Sequence, residues 1–241
     1  MVKLINPTIS VIVPAYNEEA NIEKCIHSLI SQNFRYPFEI IVVNGPSKDN
    51  TSQILKVLEI KVIDLTERGI NIAWQKGSES ANAEILAFTE ADCVVPNNWL
   101  STIYKEFELD SKLVGLTGEY RVTDRNLINK IIAYFMPRLD RIYKSWTGYY
   151  PFRGTNFAIR KKYLIKIGGF NTKMLMYGDL ELSTRIGKYG TIKHLSNLLV
   201  QTSNRNYASL ITQIKFITRA LKAVYLIAIL KKPHKMNYIH S

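Results

Sequence analysis

Two carboxylates, Glu90 and Asp92, stand one residue apart directly after the apolar stretch Ile85-Leu-Ala-Phe. The stretch predicts a buried β-strand, and in open α/β sheets the carboxyl ends of the strands are where ligands bind. This spacing suits Mg²⁺ or Mn²⁺ held together with a diphosphate, because such a cation takes one or two protein carboxylates and fills its other positions with water and phosphate oxygens. A solvated acidic turn is the alternative interpretation.

Two further turns contain residues that could approach a nucleotide. Pro14, Ala15 and Tyr16 follow a β-branched run. A tyrosine there can stack on a base, although an ordinary strand-to-helix turn would serve equally well. The turn from Asn44 to Thr51 ends a second apolar stretch. Its glycine and proline suit either a close approach of the backbone to a ligand or a plain loop.

The elements that must position these residues alternate between strand and helix. Predicted strands lie at residues 9–13, 38–43, 61–64 and 84–89, with helices at 50–58 and 70–81. This alternation predicts an α/β fold with a parallel, doubly wound sheet. We expect Asn17 to cap the first helix, with Glu18 and Glu19 in its first turn, because the helix dipole favours carboxylates there.

The second half of the chain is predicted to be more mixed. Strands are expected at residues 113–122 and 156–160, and helices at 127–144, 179–188 and 209–231. No linker separates a second domain. We therefore predict one domain over residues 1–205, followed by a basic amphipathic helix and tail over residues 206–241.

Composition limits the class of protein. The chain has 241 residues, of which 46% are hydrophobic, and this fits one sizeable domain. Cys25 and Cys93 lie far apart without a CxxC pattern, which indicates reduced core thiols rather than a disulfide framework or a zinc site. The N-terminus does not resemble a signal peptide, and the longest apolar run, residues 223–230, is shorter than the about 20 residues that span a bilayer. A cytoplasmic location is expected.

The net charge of +12 is unevenly distributed along the chain. No Asp or Glu follows Glu181, whereas ten Lys or Arg residues do. A basic segment of this kind indicates an anionic partner or a solvated surface. The candidate partners are nucleic acid, an anionic membrane surface and a phosphorylated substrate.

Six segments carry a resemblance to a known family. They are Pro14-Ala15-Tyr16-Asn17-Glu18-Glu19, the turn from Asn44 to Thr51, Glu90-Ala91-Asp92, Gly154-Thr-Asn-Phe-Ala-Ile-Arg160, Gly168-Gly169-Phe170 and Asp179-Leu-Glu-Leu-Ser-Thr-Arg185. In order and spacing they resemble the motifs of family 2 glycosyltransferases, over roughly residues 8 to 200. The resemblance implies a GT-A fold, the Rossmann-like fold of nucleotide-diphospho-sugar transferases, with a mostly parallel sheet flanked by helices.

The resemblance also implies a reaction. Members of the family use a nucleotide-sugar donor and a divalent metal and invert the anomeric centre, so we expect Mn²⁺ or Mg²⁺ and a UDP-sugar in preference to a GDP-sugar. The implied nucleotide-binding residues are Pro14, Ala15, Tyr16, Glu18, Asn44, Glu90, Ala91 and Asp92. Because Glu90-Ala91-Asp92 matches the family's DxD motif, Asp92 is the implied metal ligand. Glu90 would act near the ribose or through metal-bound water.

Asp179 matches the residue that usually serves as the general base in this family. A single displacement requires the acceptor hydroxyl to lose its proton as it attacks, and a carboxylate opposite the leaving group can accept that proton. The metal and nearby cations would stabilise the negative charge that develops on the leaving nucleoside diphosphate. Because Asp179 opens a helical run, a helix N-cap is the alternative role, and the two roles are compatible.

Several positions depart from the family's pattern. Asn44-Gly45 replaces two acids at the end of the second strand. The Asn44 amide oxygen can still accept from uracil N3–H, but its amide nitrogen is a donor, so the base preference stays open. Gly178 stands where a Glu often precedes the base, and Glu90 where Asp is usual. Ala73-Trp74-Gln75 replaces Ala-Arg-Asn, which removes a phosphate-facing cation. Together these departures permit an altered donor or a weakened enzyme.

Aromatic and cationic residues interleave between Lys130 and Arg153, a region that lies beside the acceptor site in the family. We expect Trp146, Arg153, Gly154 and Asn156 on the acceptor side. The pattern suits a membrane interface, an acceptor groove or single-stranded nucleic acid, and equally a helix packed on the sheet with solvated cations. The expected acceptor is a sugar or an isoprenoid-phosphate lipid.

Two predictions concern the end of the chain. His194 opens a late strand and is a candidate metal ligand, because some GT-A enzymes take a histidine there; a structural histidine is the alternative. In the last helix, apolar residues recur at helical spacing beside lysines and arginines. This fits a peripheral helix on an anionic, cytoplasmic membrane face, or a helix packed on the core with a solvated basic end.

Two other classes of function compete with glycosyl transfer. A sugar nucleotidyltransferase needs a glycine-rich phosphate loop and a lysine after the first strand, where Pro14-Ala15-Tyr16 stands instead. The sequence also contains neither GxxxxGK[ST] nor GxGxxG, which argues against P-loop and dinucleotide enzymes. The second alternative is a catalytically degenerate protein that binds nucleotide, membrane or nucleic acid, with nucleic acid the least favoured partner.

Overall fold

The computed structural model describes residues 6–123, 138–174 and 177–203, together with Thr218, Lys222, Tyr225 and Leu226. Residues 127–137 of one predicted helix and most of the predicted segment 206–241 therefore lie outside the described residues, and the domain division at residue 205 stays a prediction. Among the helices that the structure describes, none combines the length and hydropathy that crossing a membrane requires.

A mixed sheet forms the centre of the described part of the chain. Its strands are β1 (Ile9–Ala15), β2 (Phe38–Asn44), β3 (Lys61–Asp64), β4 (Ile85–Phe88), β5 (Cys93–Val94), β6 (Leu113–Val122), β7 (Phe157–Arg160) and β8 (Thr191–Thr202). They lie in the order β3-β2-β1-β4-β7-β6-β8-β5. The pairs β3–β2, β2–β1, β1–β4 and β6–β8 are parallel, and the others are antiparallel. The predicted α/β fold with a mostly parallel sheet is confirmed.

Helices cover both faces of this sheet. The described ones are α1 (Ile22–Ile30), α2 (Thr51–Val57), α3 (Ile70–Ser80), α4 (Trp99–Leu109), α5 (residues 138–147), α6 (Lys161–Lys166) and α7 (Gly178–Ile186), and a 3₁₀ turn, Gly187–Tyr189, follows α7. On β1, Val11 and Val13 join the core layer under α1 and α4, whereas Ile12 joins the layer that contains Trp74 of α3. Burial on both faces explains why these strands are continuous apolar runs in the sequence.

The loops that follow the first four strands meet at one edge of the sheet. Ala15 at the end of β1 is in register with Asn44 at the end of β2, and Asn44 with Asp64 at the end of β3. Phe88, the last residue of β4, pairs with Ile12 of β1. The residues that follow each strand are thereby brought together, as the sequence predicts for a parallel sheet.

The predicted helix cap at Asn17 was wrong, because α1 begins only at Ile22. Asn17 has a positive φ of 53°, and its side-chain oxygen accepts the Lys48 N–H at 2.8 Å. The neighbouring Glu18 N–H donates to Thr51 Oγ1 at 2.7 Å. Glu18 and Glu19 therefore lie before the helix, in a loop whose hydrogen bonds go to the turn that follows β2.

Asn156 holds together three elements of the second half of the sheet. Its side-chain oxygen accepts the Trp99 Nε1–H at 2.9 Å, and its amide nitrogen donates to the carbonyls of Glu119 and Leu198 at 2.9 and 2.8 Å. These carbonyls flank the register shift between β6 and β8 at Gly118 and Glu119. Asn156 is fully buried, so these hydrogen bonds give it a structural role, and its predicted place on the acceptor side stays a prediction.

We predict that Asn156→Asp destabilises the protein by about 2–4 kcal/mol, although it changes the shape of the side chain very little. The new carboxylate cannot donate to the two carbonyls, and buried groups left without a partner cost roughly 1–3 kcal/mol each. Urea unfolding followed by circular dichroism measures the change. The control is Asn97→Asp at an exposed asparagine next to α4, which should stay within about 0.5 kcal/mol of the parent. Equal stability of Asn156→Asp and the parent would contradict these hydrogen bonds.

Candidate functional site

A cleft opens at the sheet edge where the loops after β1 to β4 meet. Its volume is about 230 Å³. It is lined by Pro14, Ala15, Tyr16, Glu18, Gly45, Leu65, Arg68, Gly69, Ile70, Ala73, Glu90, Ala91 and Asp92. The structure thus brings together every predicted nucleotide-binding residue except Asn44.

Asp92 is held in place by the end of β8. Its Oδ2 accepts hydrogen bonds from Ser203 Oγ at 2.9 Å and from Thr202 Oγ1 at 3.3 Å, and its backbone carbonyl accepts the Ser203 N–H at 3.1 Å. These contacts join residues more than a hundred positions apart in the chain. They orient the Asp92 carboxylate in the wall of the cleft before any ligand arrives.

Glu90 lies in a region crowded with negative charge. Burial raises the pKa of the Glu90 carboxyl to about 8, and the nearby carboxylates of Asp92, Asp179 and Glu18 act in the same direction. An ionised Glu90 therefore needs a cation close by. Oxygen ligands that repel one another in this way are the usual surroundings of a hard divalent ion.

The donor set of the cleft fits a metal that is shared with a phosphate ligand. In the part of the chain that the structure describes, no group of three His, Cys, Asp or Glu side chains is arranged to hold a metal by itself. Mg²⁺ typically takes only one or two protein carboxylates when a substrate phosphate supplies further oxygens. Asp92 and Glu90 could provide that pair, which suits a metal bound together with a diphosphate better than a closed protein site.

Asp179 enters the same region from the first turn of α7. Its Oδ2 accepts the Gly154 N–H and its Oδ1 accepts the Leu180 N–H, both at 2.9 Å. Burial raises the pKa of Asp179, while these two N–H donors and the Arg153 guanidinium act in the opposite direction. The N-cap is Tyr177, with a positive φ of 61°, so the alternative role of Asp179 as the N-cap was wrong.

Gly154 allows Glu90 and Asp179 to converge. A Cβ at this position would lie 2.7 Å from Glu90 Oε1 and 3.0 Å from the Trp74 ring. Any other residue would push the Glu90 carboxylate away while the Gly154 N–H is still bonded to Asp179. This close approach is the physical reason for a glycine next to Arg153.

Gly178, where the family often has a glutamate, is also explained by packing. A Cβ there would lie 1.9 Å from Asn71 Oδ1. Asn71 is fully buried on α3 and its amide nitrogen donates to the Met174 carbonyl. The space that a larger side chain at position 178 would need is therefore occupied by Asn71.

Asn44 does not line the cleft. It is buried, its amide nitrogen donates to Ser52 Oγ at 3.0 Å and Asp64 Oδ1 at 2.9 Å, and its oxygen accepts from Ser47 Oγ at 2.9 Å. These bonds shape the turn after β2, and the predicted contact of Asn44 with a base stays a prediction. Gly45 takes its place in the cleft wall, where a Cβ would lie 3.2 Å from Tyr16 Cδ2.

His194 lies apart from the carboxylates of the cleft. Its Nε2 is 2.9 Å from Glu119 Oε1, its ring stacks on Tyr150, and the hydrogen bond from His194 lowers the pKa of Glu119. On β8, His194 is in register with Thr117, whereas Asp92 contacts the opposite end of the same strand at Thr202. In the structure His194 is thus bonded to Glu119, and its predicted metal role stays a prediction.

Helix α5 contacts the residues around Asp179 through two side chains. Asp140 pairs with Arg153, and the Tyr143 hydroxyl donates to the Leu180 carbonyl at 2.6 Å. Trp146 lies on the same helix and is 53% exposed. Of the four predicted acceptor-side residues, Trp146, Arg153 and Gly154 are thus located beside Asp179 or on the helix that is joined to it.

The sequence predictions missed Arg68, which lies in the loop between β3 and α3. Its Cζ lies 4.3 Å from the centroid of the Tyr16 ring, at the rim of the cleft. One feature of the sequence could have identified Arg68: it is an arginine in the loop after a predicted strand, and the carboxyl ends of these strands form the ligand-binding edge. By contrast, Trp74 belongs to the core, where its ring centroid lies 5.7 Å from that of Phe157 and 5.5 Å from that of Phe170.

Comparison with known proteins adds three relatives. Glycosyltransferase AglE of Haloferax volcanii is 36% identical over 102 residues, which cover 39% of this chain and 33% of that protein. Probable glycosyltransferase YdaM of Bacillus subtilis is 28% identical over 205 residues, covering 76% and 47%. The dolichyl N-acetyl-alpha-D-glucosaminyl phosphate 3-beta-D-2,3-diacetamido-2,3-dideoxy-beta-D-glucuronosyltransferase of Methanococcus voltae is 28% identical over 195 residues, covering 73% and 56%. The chain thus spans less than two thirds of the length of each relative.

Two solved structures share the fold. The mannosyltransferase PcManGT from Pyrobaculum calidifontis, in complex with GDP-Man and Mn²⁺, superposes with a TM-score of 0.71 at 22% identity, over 92% of this chain and 63% of that one. S. aureus TarS 1-349 in complex with UDP-GlcNAc has a TM-score of 0.63 at 21% identity, over 95% and 69%. These likenesses show a GT-A glycosyltransferase fold.

The sequence model of one family, described as Glycosyl transferase family 2, matches residues 10–168. The matched range runs from β1 through α6 and includes the predicted metal-binding segment from Glu90 to Asp92. It covers well over half of the chain, and the protein therefore belongs to glycosyl transferase family 2.

Proposed function

We propose that this protein is a metal-dependent, inverting glycosyltransferase that moves a sugar from a nucleotide-sugar donor to an acceptor hydroxyl or phosphate. The observation that carries the proposal is the convergence of three carboxylates: Glu90 and Asp92 line the cleft, and Asp179 lies near enough for its charge to raise the pKa of Glu90. Gly154 makes this convergence possible, since its N–H binds Asp179 and its missing side chain leaves room for Glu90.

In this proposal Asp92 and Glu90 hold Mn²⁺ or Mg²⁺ together with the diphosphate of the donor. When bound, the metal neutralises the charge that develops on the leaving nucleoside diphosphate. Asp92 is suited to this role because Ser203 and Thr202 fix its carboxylate, so that little ordering remains to be done when the ligand binds. The Mn²⁺ in the PcManGT complex supports the use of a divalent ion.

Asp179 is the proposed general base. Backbone donors from Gly154 and Leu180 orient its two oxygens, and burial keeps its pKa above that of a solvated aspartate. A raised pKa makes the carboxylate a better proton acceptor at the moment when the acceptor hydroxyl attacks. Inversion follows if this attack occurs on the face of the sugar opposite the diphosphate.

The proposed acceptor side is formed by α5, and it favours a lipid-linked acceptor at an anionic membrane surface. Arg138, Ile142 and Trp146 recur every fourth residue and are all exposed, so they form one stripe. Apolar residues flanked by cations suit the headgroup region of an anionic bilayer. The dolichyl-phosphate substrate named for the Methanococcus voltae relative supports this choice over a free sugar, and the surface would be that of the cytoplasmic leaflet.

We predict that Asp92→Asn abolishes metal-dependent nucleotide binding. The amide keeps the shape of the side chain and can still accept from Ser203, but it loses the charge that holds the metal. Thermal shift with UDP or GDP, each with Mn²⁺ or EDTA, measures the effect. The exposed Glu59→Gln should respond as the parent does. A metal-dependent shift that persists in Asp92→Asn would contradict the assigned ligand.

We predict that Asp179→Asn lowers kcat by roughly 10²–10⁴-fold, the usual contribution of a general base, and leaves nucleotide affinity within about twofold. The asparagine oxygen can still accept the Gly154 N–H, so the loop geometry is kept. Initial rates of nucleotide release from the donor measure kcat, and isothermal titration with the free nucleotide measures affinity. A parent protein that binds nucleotide but turns over no donor would favour the catalytically degenerate alternative.

We predict that the double substitution Ile142→Ser with Trp146→Ser weakens binding to vesicles of phosphatidylglycerol and phosphatidylcholine by about tenfold or more. Burying one large apolar side chain is worth roughly 1.5–3 kcal/mol, and about 1.4 kcal/mol is tenfold. Co-sedimentation measures the bound fraction. Ile165→Ser is the control, because Ile165 is 68% exposed on α6 rather than on α5. Equal losses in both variants would contradict an α5-specific contact.

A further inference from the structure

Helix α5 contacts both of the elements that meet at the proposed base. Its Asp140 forms an ion pair with Arg153, the residue before Gly154, and the two side chains are only 15% and 17% exposed. The Tyr143 hydroxyl, on the same helix, donates to a backbone carbonyl of α7 at 2.6 Å, one residue after Asp179. The hydrogen bond from the Gly154 N–H to Asp179 therefore has a contact from α5 on each side of it.

The backbone of Arg153 is fixed independently of its side chain. Its carbonyl accepts the Asn156 N–H at 2.7 Å, and Asn156 is fully buried. The turn that contains Gly154 is thus held at both ends. What remains adjustable is the direction of the Arg153 guanidinium, and the carboxylates around it decide that direction.

Two carboxylates compete for the Arg153 guanidinium. Asp140 contacts it directly, whereas Asp179 accepts backbone N–H groups and acts on Arg153 only through its charge. Glu119 is a third carboxylate within electrostatic reach of Arg153, but it is already bonded to His194. A guanidinium carries five N–H donors and binds carboxylates strongly. Without Asp140, these donors would therefore turn to Asp179.

A direct bond from Arg153 would make Asp179 a poorer base. The guanidinium would occupy an oxygen lone pair that the acceptor hydroxyl needs when it gives up its proton. Its positive charge, brought into contact, would also oppose protonation of the carboxylate. The ion pair with Asp140 prevents both effects, because it keeps the donors of Arg153 engaged elsewhere.

We propose that Asp140 is a positioning residue for the proposed general base. It holds the Arg153 guanidinium away from Asp179, so that a lone pair of the base stays open to the acceptor hydroxyl. The inference rests on the proposed function and adds to it a residue that touches no substrate. It also gives the inner side of α5 a role that differs from that of the exposed stripe on the same helix.

The test is a double-substitution cycle on this ion pair. Initial rates of nucleotide release from UDP-GlcNAc and GDP-Man, the donors bound in the two solved structures, are measured with Mn²⁺ and with water as the acceptor. We expect Asp140→Asn to lower kcat by about tenfold or more, which is part of what a general base contributes. The KM for the donor should stay within about twofold of the parent value.

A second substitution separates positioning from stability. Arg153→Gln in the Asp140→Asn background should restore most of the lost kcat, because no cation remains to bind Asp179. A role in stability alone predicts a further loss instead. Asp140→Glu, which keeps the charge, should retain most of the parent kcat. The double variant leaves no buried charge unpaired, so it is expected to fold even if Asp140→Asn does not.

A control and a structure complete the test. Glu106→Gln also removes one carboxylate of an ion pair, the one with Lys193 that joins α4 to β8, and it should leave kcat and KM unchanged. A crystal structure of Asp140→Asn gives a result that does not depend on activity. We expect it to show the Arg153 guanidinium bonded to the Asp179 carboxylate.

Three results would overturn the inference and leave the proposed glycosyltransferase intact. They are a parent-like kcat in Asp140→Asn, no recovery of kcat when Arg153→Gln is added, and a crystal structure of Asp140→Asn in which Arg153 stays away from Asp179. If the parent releases nucleotide from neither donor, the proposed function loses its support. The crystal structure then still decides whether Asp140 keeps Arg153 off Asp179.

Discussion

The repulsion between carboxylates at the floor of the cleft is the constraint around which the rest of the site is built. Burial raises the pKa of Glu90 to about 8, and the nearby carboxylates of Asp92, Asp179 and Glu18 act in the same direction. Such a cluster persists only where surrounding structure holds each member in place. Asp92 is held by the end of β8 and Asp179 by backbone donors, while Gly154 leaves the space that Glu90 needs.

The opposite end of the cleft is ordered by hydrogen bonds of backbone and side-chain amide groups. Asn17 and Glu18 bond to the turn that follows β2, and Asn44 ties that turn to Asp64 at the end of β3. The backbone around Tyr16 and Gly45 is thereby fixed without any side chain entering the space between them. A rigid surface at this end, with the Arg68 guanidinium over the Tyr16 ring, can accept a flat aromatic ring, and the charged end can accept phosphates.

Whether the sequence predicted a feature depends on how far apart along the chain the interacting residues lie. The bounds of β3 and β6 were predicted to the residue, because a buried apolar strand between turn residues is a local pattern. The hydrogen-bond partners of Asn17, Asn44 and Asn156 were not predicted, because an asparagine can cap, bind a ligand or bridge buried backbone, and the choice depends on its partners in space. The partner of Asn156 at Trp99 is 57 residues away, and that of Asn17 at Lys48 is 31 away.

The placement of the arginines explains how the site can be both strongly acidic and suited to an anionic donor. Arg153 lies beside Asp179, where its charge opposes the effect of burial, which raises the pKa of Asp179, and Arg68 lies at the rim near Tyr16. Trp74 is buried in the core and contributes no charge. Apart from Arg68 at the rim, the charged residues that line the cleft are therefore carboxylates, and a diphosphate that entered alone would be repelled. A divalent cation that arrives with the diphosphate resolves this conflict, so that donor and metal would bind as one unit and the site would remain closed to free phosphate.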